Sequence, residues 1–315
     1  MSTPTIETIN LSKTYGSFTA LSDLNLKIEG SKCVGFLGPN GAGKTTTLKI
    51  LTDLIRASSG HALINGADVH TAKKTALAHV ASVIETPEIY SSLTPREALM
   101  MICEQRGVPH AERKKKIEQA VEEVKMSEWI DKRTGKFSKG MKQRICIASA
   151  LLGDPVVLLL DEPTSGLDPR GMSEVRDIVK SLKTRNRLIF MSSHLLAEVS
   201  EICDEVAMID HGKLLVYDTL DNVTAKFSGD VNIVDVGLLK PIDSNLVTSS
   251  IAKIPGIVTA ERLDERNLRI KYSGGLDVQA AILAELVNLK VPVLSFRPSV
   301  SALEDVYLNL IKETL

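Results

Sequence analysis

The chain has 315 residues, enough for two domains, and its 43% hydrophobic content supports a sizeable core. With 38 basic against 39 acidic residues the formal net charge is −1, so overall charge points to neither nucleic acid nor an anionic membrane surface as a partner. Aliphatic runs such as Val156 to Leu160 fall well short of the roughly 20 residues a spanning helix needs, so membrane contact is expected only through another chain.

The first residues, MSTPTIETINLS, lack the charged flank and apolar stretch of a secretory signal, so a cytoplasmic location is expected, on the cytoplasmic face of the membrane through a partner chain. Thr5 to Leu11 and Leu24 to Glu29 read as strands of an outer sheet. The apolar run Cys33 to Leu37 leads into the glycine-rich turn GPNGAGKT and a helical stretch from Lys44 to Leu54, giving strand, loop and helix. Turns near Gly60 and Gly66 predict a further hairpin. Thr94 and Glu97 have capping-box spacing with Pro95 at the first helical position, so a helix begins there. A second helix, roughly Ala111 to Met126, puts Ile117, Ala120, Val121 and Val124 on one face, and the basic run Arg113 to Lys116 beside it reads as a solvated face. Past about Gly153, the runs Val156 to Leu160, Leu188 to Ser192 and Val206 to Ile209 alternate with helical stretches, the pattern of a parallel α/β core.

Composition changes near Phe227. From Ser228 onward, strand-like runs at Val231 to Val236 and Leu268 to Tyr272 alternate with helices at Val278 to Leu289 and Ala302 to Glu313, so a second, small α+β domain is expected. In the last helix Leu303, Val306, Tyr307, Leu310 and Ile311 form one apolar stripe. Cys33, Cys103, Cys146 and Cys203 show no paired spacing and read as reduced structural thiols.

Three strings carry chemistry. In Gly38 to Thr45 the glycines allow successive backbone N–H groups to point at a phosphate from a helix start; Lys44 supplies a point charge and Thr45 a hydroxyl for magnesium. At the end of an apolar strand Asp161 can hold a magnesium shell, and Glu162 beside it can polarise an attacking water. His194 closes the strand-like run MSSH.

With FSKGM at Phe137 to Met141, then LLLDEPTSGLD at Leu158 to Asp168 and SSH ending at His194, the ordered set resembles the ATP-binding subunits of ABC transporters. The resemblance implies an α/β P-loop NTPase fold over residues 1–227: a RecA-like parallel core, an antiparallel β subdomain and a helical subdomain at about 94–153, followed by an accessory domain at 228–315. It implies ATP and Mg2+ as ligands. Tyr15 would stack on adenine, and Gly38, Pro39, Asn40, Gly41, Ala42, Gly43, Lys44, Thr45 and Thr46 would cradle the phosphates. Thr45 and Asp161 would hold magnesium, Glu162 would orient water and His194 would contact the γ-phosphate. Ser138, Lys139, Gly140 and Asp168 would act on the nucleotide of a second cassette, so a homodimer or paired cassette is implied, driving separate integral membrane permease chains, with no direct nucleic-acid binding.

Two departures stand out. The signature carries Phe137, Lys139 and Met141 in place of the common LSGGQ residues, and Met141 lacks the hydrogen-bonding capacity of a glutamine. In VIETPE, Glu85 occupies the place of the family's usual glutamine; the resemblance makes it a metal-shell and coupling residue, and the substitution is typical of a subgroup similar to the ATPases of bacitracin and lantibiotic self-protection exporters. Export of a drug, antimicrobial peptide or lipid-like cargo is therefore expected. An importer subunit with a ligand-regulated tail and a soluble non-transport ATPase remain as alternatives.

Overall fold

The computed structural model describes residues 3–85, 89–184, 186–223, 231–241 and 244–298. The expected boundary at Phe227 and the expected helix from Ala302 to Glu313 lie outside the described residues. The chain falls into two compact units, 1–220 and 221–315.

The first unit begins with strands β1 (Thr5–Tyr15), β2 (Phe18–Glu29), β3 (Cys33–Leu37), β4 (Ser59–Ile64) and β5 (Ala67–Asp68), with helix α1 (Lys44–Leu51) between β3 and β4. β1, β2, β4 and β5 form an antiparallel sheet in the order β2-β1-β4-β5. β1 runs four residues past the expected Leu11. Its polar end is held by backbone pairing of Lys13 with Leu21, Thr14 with Thr19 and Tyr15 with Phe18, which an apolar-pattern reading cannot detect. α1 is shorter than expected, because the chain turns left-handed at Asp53, φ 52°.

Next come α2 (Lys73–Ala76), β6 (Val80–Val83), α3 (Pro95–Gln105), α4 (His110–Glu123), α5 (Lys139–Leu151), β7 (Val157–Asp161), α6 (Pro169–Lys183), β8 (Leu188–Ser193), α7 (Leu196–Ile202), β9 (Glu205–Asp210) and β10 (Lys213–Thr219). α3 starts on the expected capping box: the Glu97 N–H donates to Thr94 Oγ1 at 3.2 Å and the Thr94 N–H donates to Glu97 Oε2 at 2.8 Å. Ile117, Ala120, Val121 and Val124 are buried as the α4 periodicity predicts.

The core sheet has the order β10-β9-β3-β8-β7-β6, parallel throughout except for β10. Every residue of β3, β7 and β8 is buried, and these strands read as apolar runs up to the polar ends Asp161 of β7 and Ser192 and Ser193 of β8. Phe36 and Phe190 meet at 5.1 Å between ring centroids and lock β3 against β8. Parallel pairing sends the carboxyl ends of β3, β7 and β8 to one edge of the sheet. Among the described residues no helix is long and apolar enough to cross a membrane.

In the second unit β11 (Val231–Leu238), α8 (Ser244–Ile251), β12 (Ile257–Arg262), β13 (Asn267–Ser273), α9 (Leu276–Asn288) and β14 (Val293–Pro298) build an antiparallel sheet ordered β12-β13-β11-β14. Val234, Val236, Leu268 and Ile270 alternate onto the face that packs with Val247, Ile251, Ile282 and Leu286. On the opposite face Arg269 makes a bidentate pair with Asp235, at 2.8 and 3.1 Å.

Candidate active site

The site forms at the carboxyl edge of the parallel sheet. β3 ends at Leu37, and the chain loops through Gly38 to Gly43 before α1 opens at Lys44. Gly41 and Gly43 have φ of 85° and 105°, which glycine adopts without strain. At Gly43 space is closed too, since a Cβ would lie 2.6 Å from the Ala20 carbonyl oxygen. The Lys44 ammonium folds back over this loop and donates to the carbonyls of Gly38 at 2.7 Å and Pro39 at 3.0 Å. Burial pushes its pKa below the usual lysine range, while the carboxylates of Glu162 and Asp161 pull it back up.

Asp161 ends β7 and is buried, and its carboxylate accepts from the hydroxyls of Thr45, at 2.9 Å, and Ser192, at 2.6 Å. The next residue, Glu162, has φ 43°, an uncommon backbone for a non-glycine residue and one that occurs at functional turns. Its N–H donates to Ser192 Oγ at 2.9 Å. Its carboxylate lies 3.6 Å from Lys44 Nζ and 3.1 Å from His194 Nδ1. Lys44, Thr45, Asp161, Glu162 and His194 are thus joined by direct contacts, although they arise from three separate stretches of chain.

A pocket of about 230 Å³ opens over this cluster, and its lining includes Tyr15, Asn40, Gly41, Gly43, Lys44, Thr45, Thr46 and Glu162. Tyr15 is 49% exposed, and Lys13 Nζ lies over its ring, 4.8 Å from the centroid. Phe18, its cross-strand partner, lines the same pocket and is 60% exposed. Sequence reasoning missed Phe18; the signal was the tight YGSF hairpin, which places one ring beside the other. Also missed was Ser192, whose hydroxyl joins Asp161 to the Glu162 backbone.

The other expected residues lie apart from this pocket. Ser138 caps α5 by accepting from the Met141 N–H at 3.2 Å, Lys139 Nζ donates to the Ser165 carbonyl at 3.0 Å, and Asp168 sits at the start of α6. Gly140 faces Gly171, where a Cβ would approach the neighbouring Cα to 3.3 Å, so the two helix starts cross on glycine. None of Ser138, Lys139, Gly140 and Asp168 lines the pocket beneath Tyr15. Glu85, φ 60°, makes its ion pair with Lys49 of α1 at 2.5 Å rather than with Thr45 or Asp161. That contact raises the Lys49 pKa.

The donor set suits a hard cation: a threonine hydroxyl and an aspartate carboxylate 2.9 Å apart. Among the described residues no group of three or more His, Cys, Asp or Glu could hold a metal alone, so any cation here would take its remaining ligands from phosphate and water. All four cysteines are buried and none is in a disulfide, and burial pushes the Cys146 thiol up to about 12. Arg113 of the basic run is tied to Glu104 at 2.7 Å.

A model of the ABC transporter family matches residues 21–165. A bacitracin transport ATP-binding protein of Bacillus licheniformis is 44% identical over 211 residues, covering 67% of this chain and 68% of that one. An uncharacterized ABC transporter ATP-binding protein of Bacillus subtilis is 35% identical over 308 residues, covering 97% of this chain and 96% of that one. Among solved structures, an ATP-binding subunit of an ABC transporter superposes with a TM-score of 0.62 at 30% identity, covering 71% of this chain and 93% of that one.

Ser192→Ala would strip Asp161 of its shortest hydrogen bond and leave the Glu162 N–H without its acceptor. We expect a loss of about 1–3 kcal/mol of stability in denaturant unfolding. A loss within about 0.5 kcal/mol, the range of ordinary surface changes, would show that water replaces the hydroxyl.

Proposed function

The chain belongs to the ABC transporter family of ATP-binding, ATP-hydrolysing subunits, and on that premise we propose that two copies close around two ATP molecules and drive separate membrane-spanning chains in exporting an antibiotic-like cargo. The observation that carries the reading is the convergence of Lys44, Thr45, Asp161, Glu162 and His194 at the ends of β3, β7 and β8.

ATP would place its triphosphate on the backbone N–H groups of the loop from Asn40 to Thr46, at the start of α1, with its base over Tyr15. Lys44 would exchange its carbonyl partners for the β- and γ-phosphates, a favourable trade for a buried ammonium. Thr45 and Asp161 would hold Mg2+, which neutralises charge on the phosphoryl oxygens. Glu162 would accept a proton from the attacking water or orient it, while His194, 3.1 Å from that carboxylate, would fix its direction and reach the γ-phosphate. In this scheme the residues of one chain bind the nucleotide but leave the far side of the γ-phosphate open.

Ser138, Lys139, Gly140 and Asp168 would cover that side from the second copy. Their absence from the lining of the pocket in their own chain supports this assignment. For the membrane chain, an apolar groove of about 210 Å³ lined by Tyr90, Leu93, Leu99, Met101 and Ile102 is the proposed landing place, on the cytoplasmic face of the membrane. Glu85 lies just before that segment. Its proposed role is to exchange between Lys49 and the metal shell, linking nucleotide state to the groove. Residues 228–315 are proposed as an accessory domain. The cargo class is taken from the bacitracin transport relative.

Glu162→Gln should retain ATP while losing about 10²–10⁴ in turnover. Recovered from native membranes with ATP and magnesium, the tagged variant should bring down a multi-span membrane protein in stoichiometric amount; recovery with soluble proteins or nucleic acid only would overturn the transport reading. Glu85→Gln should raise the magnesium concentration for half-maximal hydrolysis severalfold, since one anionic ligand is lost. Unchanged magnesium dependence, together with unchanged stimulation by the membrane chain, would remove Glu85 from the site.

A further inference from the structure

A buried carboxylate lies behind the catalytic cluster and contacts none of the groups assigned to the nucleotide. Glu198, on α7, is 3% exposed. One of its oxygens accepts from the Thr164 hydroxyl, and the other accepts from the Ser193 hydroxyl at 2.9 Å. Both hydroxyls are themselves buried, at 2% exposure. Thr164 stands two residues after Glu162, and Ser193 stands immediately before His194. Glu198 therefore ties the backbone that carries Glu162 to the backbone that carries His194. Ser193 has a further link: its oxygen accepts from the Leu195 N–H at 2.9 Å, so His194 is fixed from both sides.

The helix that presents Glu198 is itself held on β3. Val199 sits on Gly35, where a Cβ would lie 2.5 Å from Val199 Cγ1 and 3.1 Å from Cys203 Sγ. β3 is the strand that runs into the phosphate loop. Glu198 thus refers the positions of Glu162 and His194 to the strand that sets Lys44 and Thr45. Among the described residues no cationic side chain pairs with Glu198, and a buried carboxylate of that kind is an expensive way to fill space. Two hydroxyl donors aimed at it, one from the turn after β7 and one from the end of β8, serve geometry.

We infer that Glu198 is a positioning residue for hydrolysis, clamping the Glu162 and His194 segments at the spacing the water attack needs. The inference rests on the roles proposed above for Glu162 and His194. Loosening the clamp leaves the phosphate loop intact, so ATP binding should survive while turnover falls. A misplacement of order 1 Å remote from the chemistry can cost about 10²-fold in rate.

The test uses the full-length chain carrying Glu198→Gln, Thr164→Val and both together, with ATP affinity measured separately from kcat, and with Glu162→Gln alongside. Glu198→Gln preserves shape, and Thr164→Val cuts one arm without touching the carboxylate, so one variant remains informative should the other misfold. We expect kcat to fall about ten- to a hundredfold in Glu198→Gln with ATP affinity within about twofold of the parent. Thr164→Val should show a smaller fall, and the double variant should be no worse than Glu198→Gln, the non-additivity of a shared contact. Unchanged kcat, an equal loss of ATP affinity and kcat, or strictly additive effects would each overturn the clamp. If Glu162→Gln is inactive while Glu198→Gln turns over like the parent, only the clamp fails; full activity in Glu162→Gln would instead overturn the assignment of Glu162.

Discussion

Everything at this site depends on holding one buried cation against two carboxylates at the edge of a parallel sheet. Lys44, Asp161 and Glu162 would be costly to desolvate singly. Strand order brings them together: β8 lies between β3 and β7, so the loop after β3 and the end of β7 face each other across the end of β8. Ser192 on that middle strand then bonds to Asp161 and to the Glu162 backbone. The apolar interior of β3, β7 and β8, with Phe36 against Phe190, makes the edge rigid enough for contacts of 2.6 to 3.1 Å to be kept. Antiparallel ordering would have sent the same side chains to opposite ends.

What the sequence made legible was local. The glycine turn into α1, the capping box at Thr94, the buried face of α4 and the apolar runs of the core strands all rest on residues close together in the chain. β6, β10, β12 and β14 were missed: β6 has only four residues, and the other three are half-exposed, so none shows a long apolar run. β1 was cut short because its last residues are polar and are held by partners on β2. The catalytic motifs were legible as strings, yet Phe18, Ser192, Lys49 and Glu198 were not. Each of these acts through a partner distant in sequence or through a fold contact. Spacing carries no information about such pairs. Glu85 illustrates the difference: its place in the chain suggested a metal, and its side chain rests on Lys49.

The same separation explains why one chain makes only half of the proposed reaction centre. Ser138 and Lys139 are engaged with their own helix start and with the Ser165 carbonyl, away from the pocket beneath Tyr15. Helix starts carry partial positive charge and unpaired N–H groups, so two of them crossing on Gly140 and Gly171 form a surface suited to an anion brought by a second copy. In this account ATP joins the two halves by filling the gap between a phosphate loop and a helix start of different chains.

Sedimentation velocity of the Glu162→Gln chain with and without magnesium and ATP tests this most directly. The account predicts a monomer without nucleotide and a dimer holding two ATP when nucleotide is present, with the dimer lost on Ser138→Arg. A species that remains monomeric at saturating ATP, or a dimer indifferent both to nucleotide and to Ser138→Arg, would contradict it.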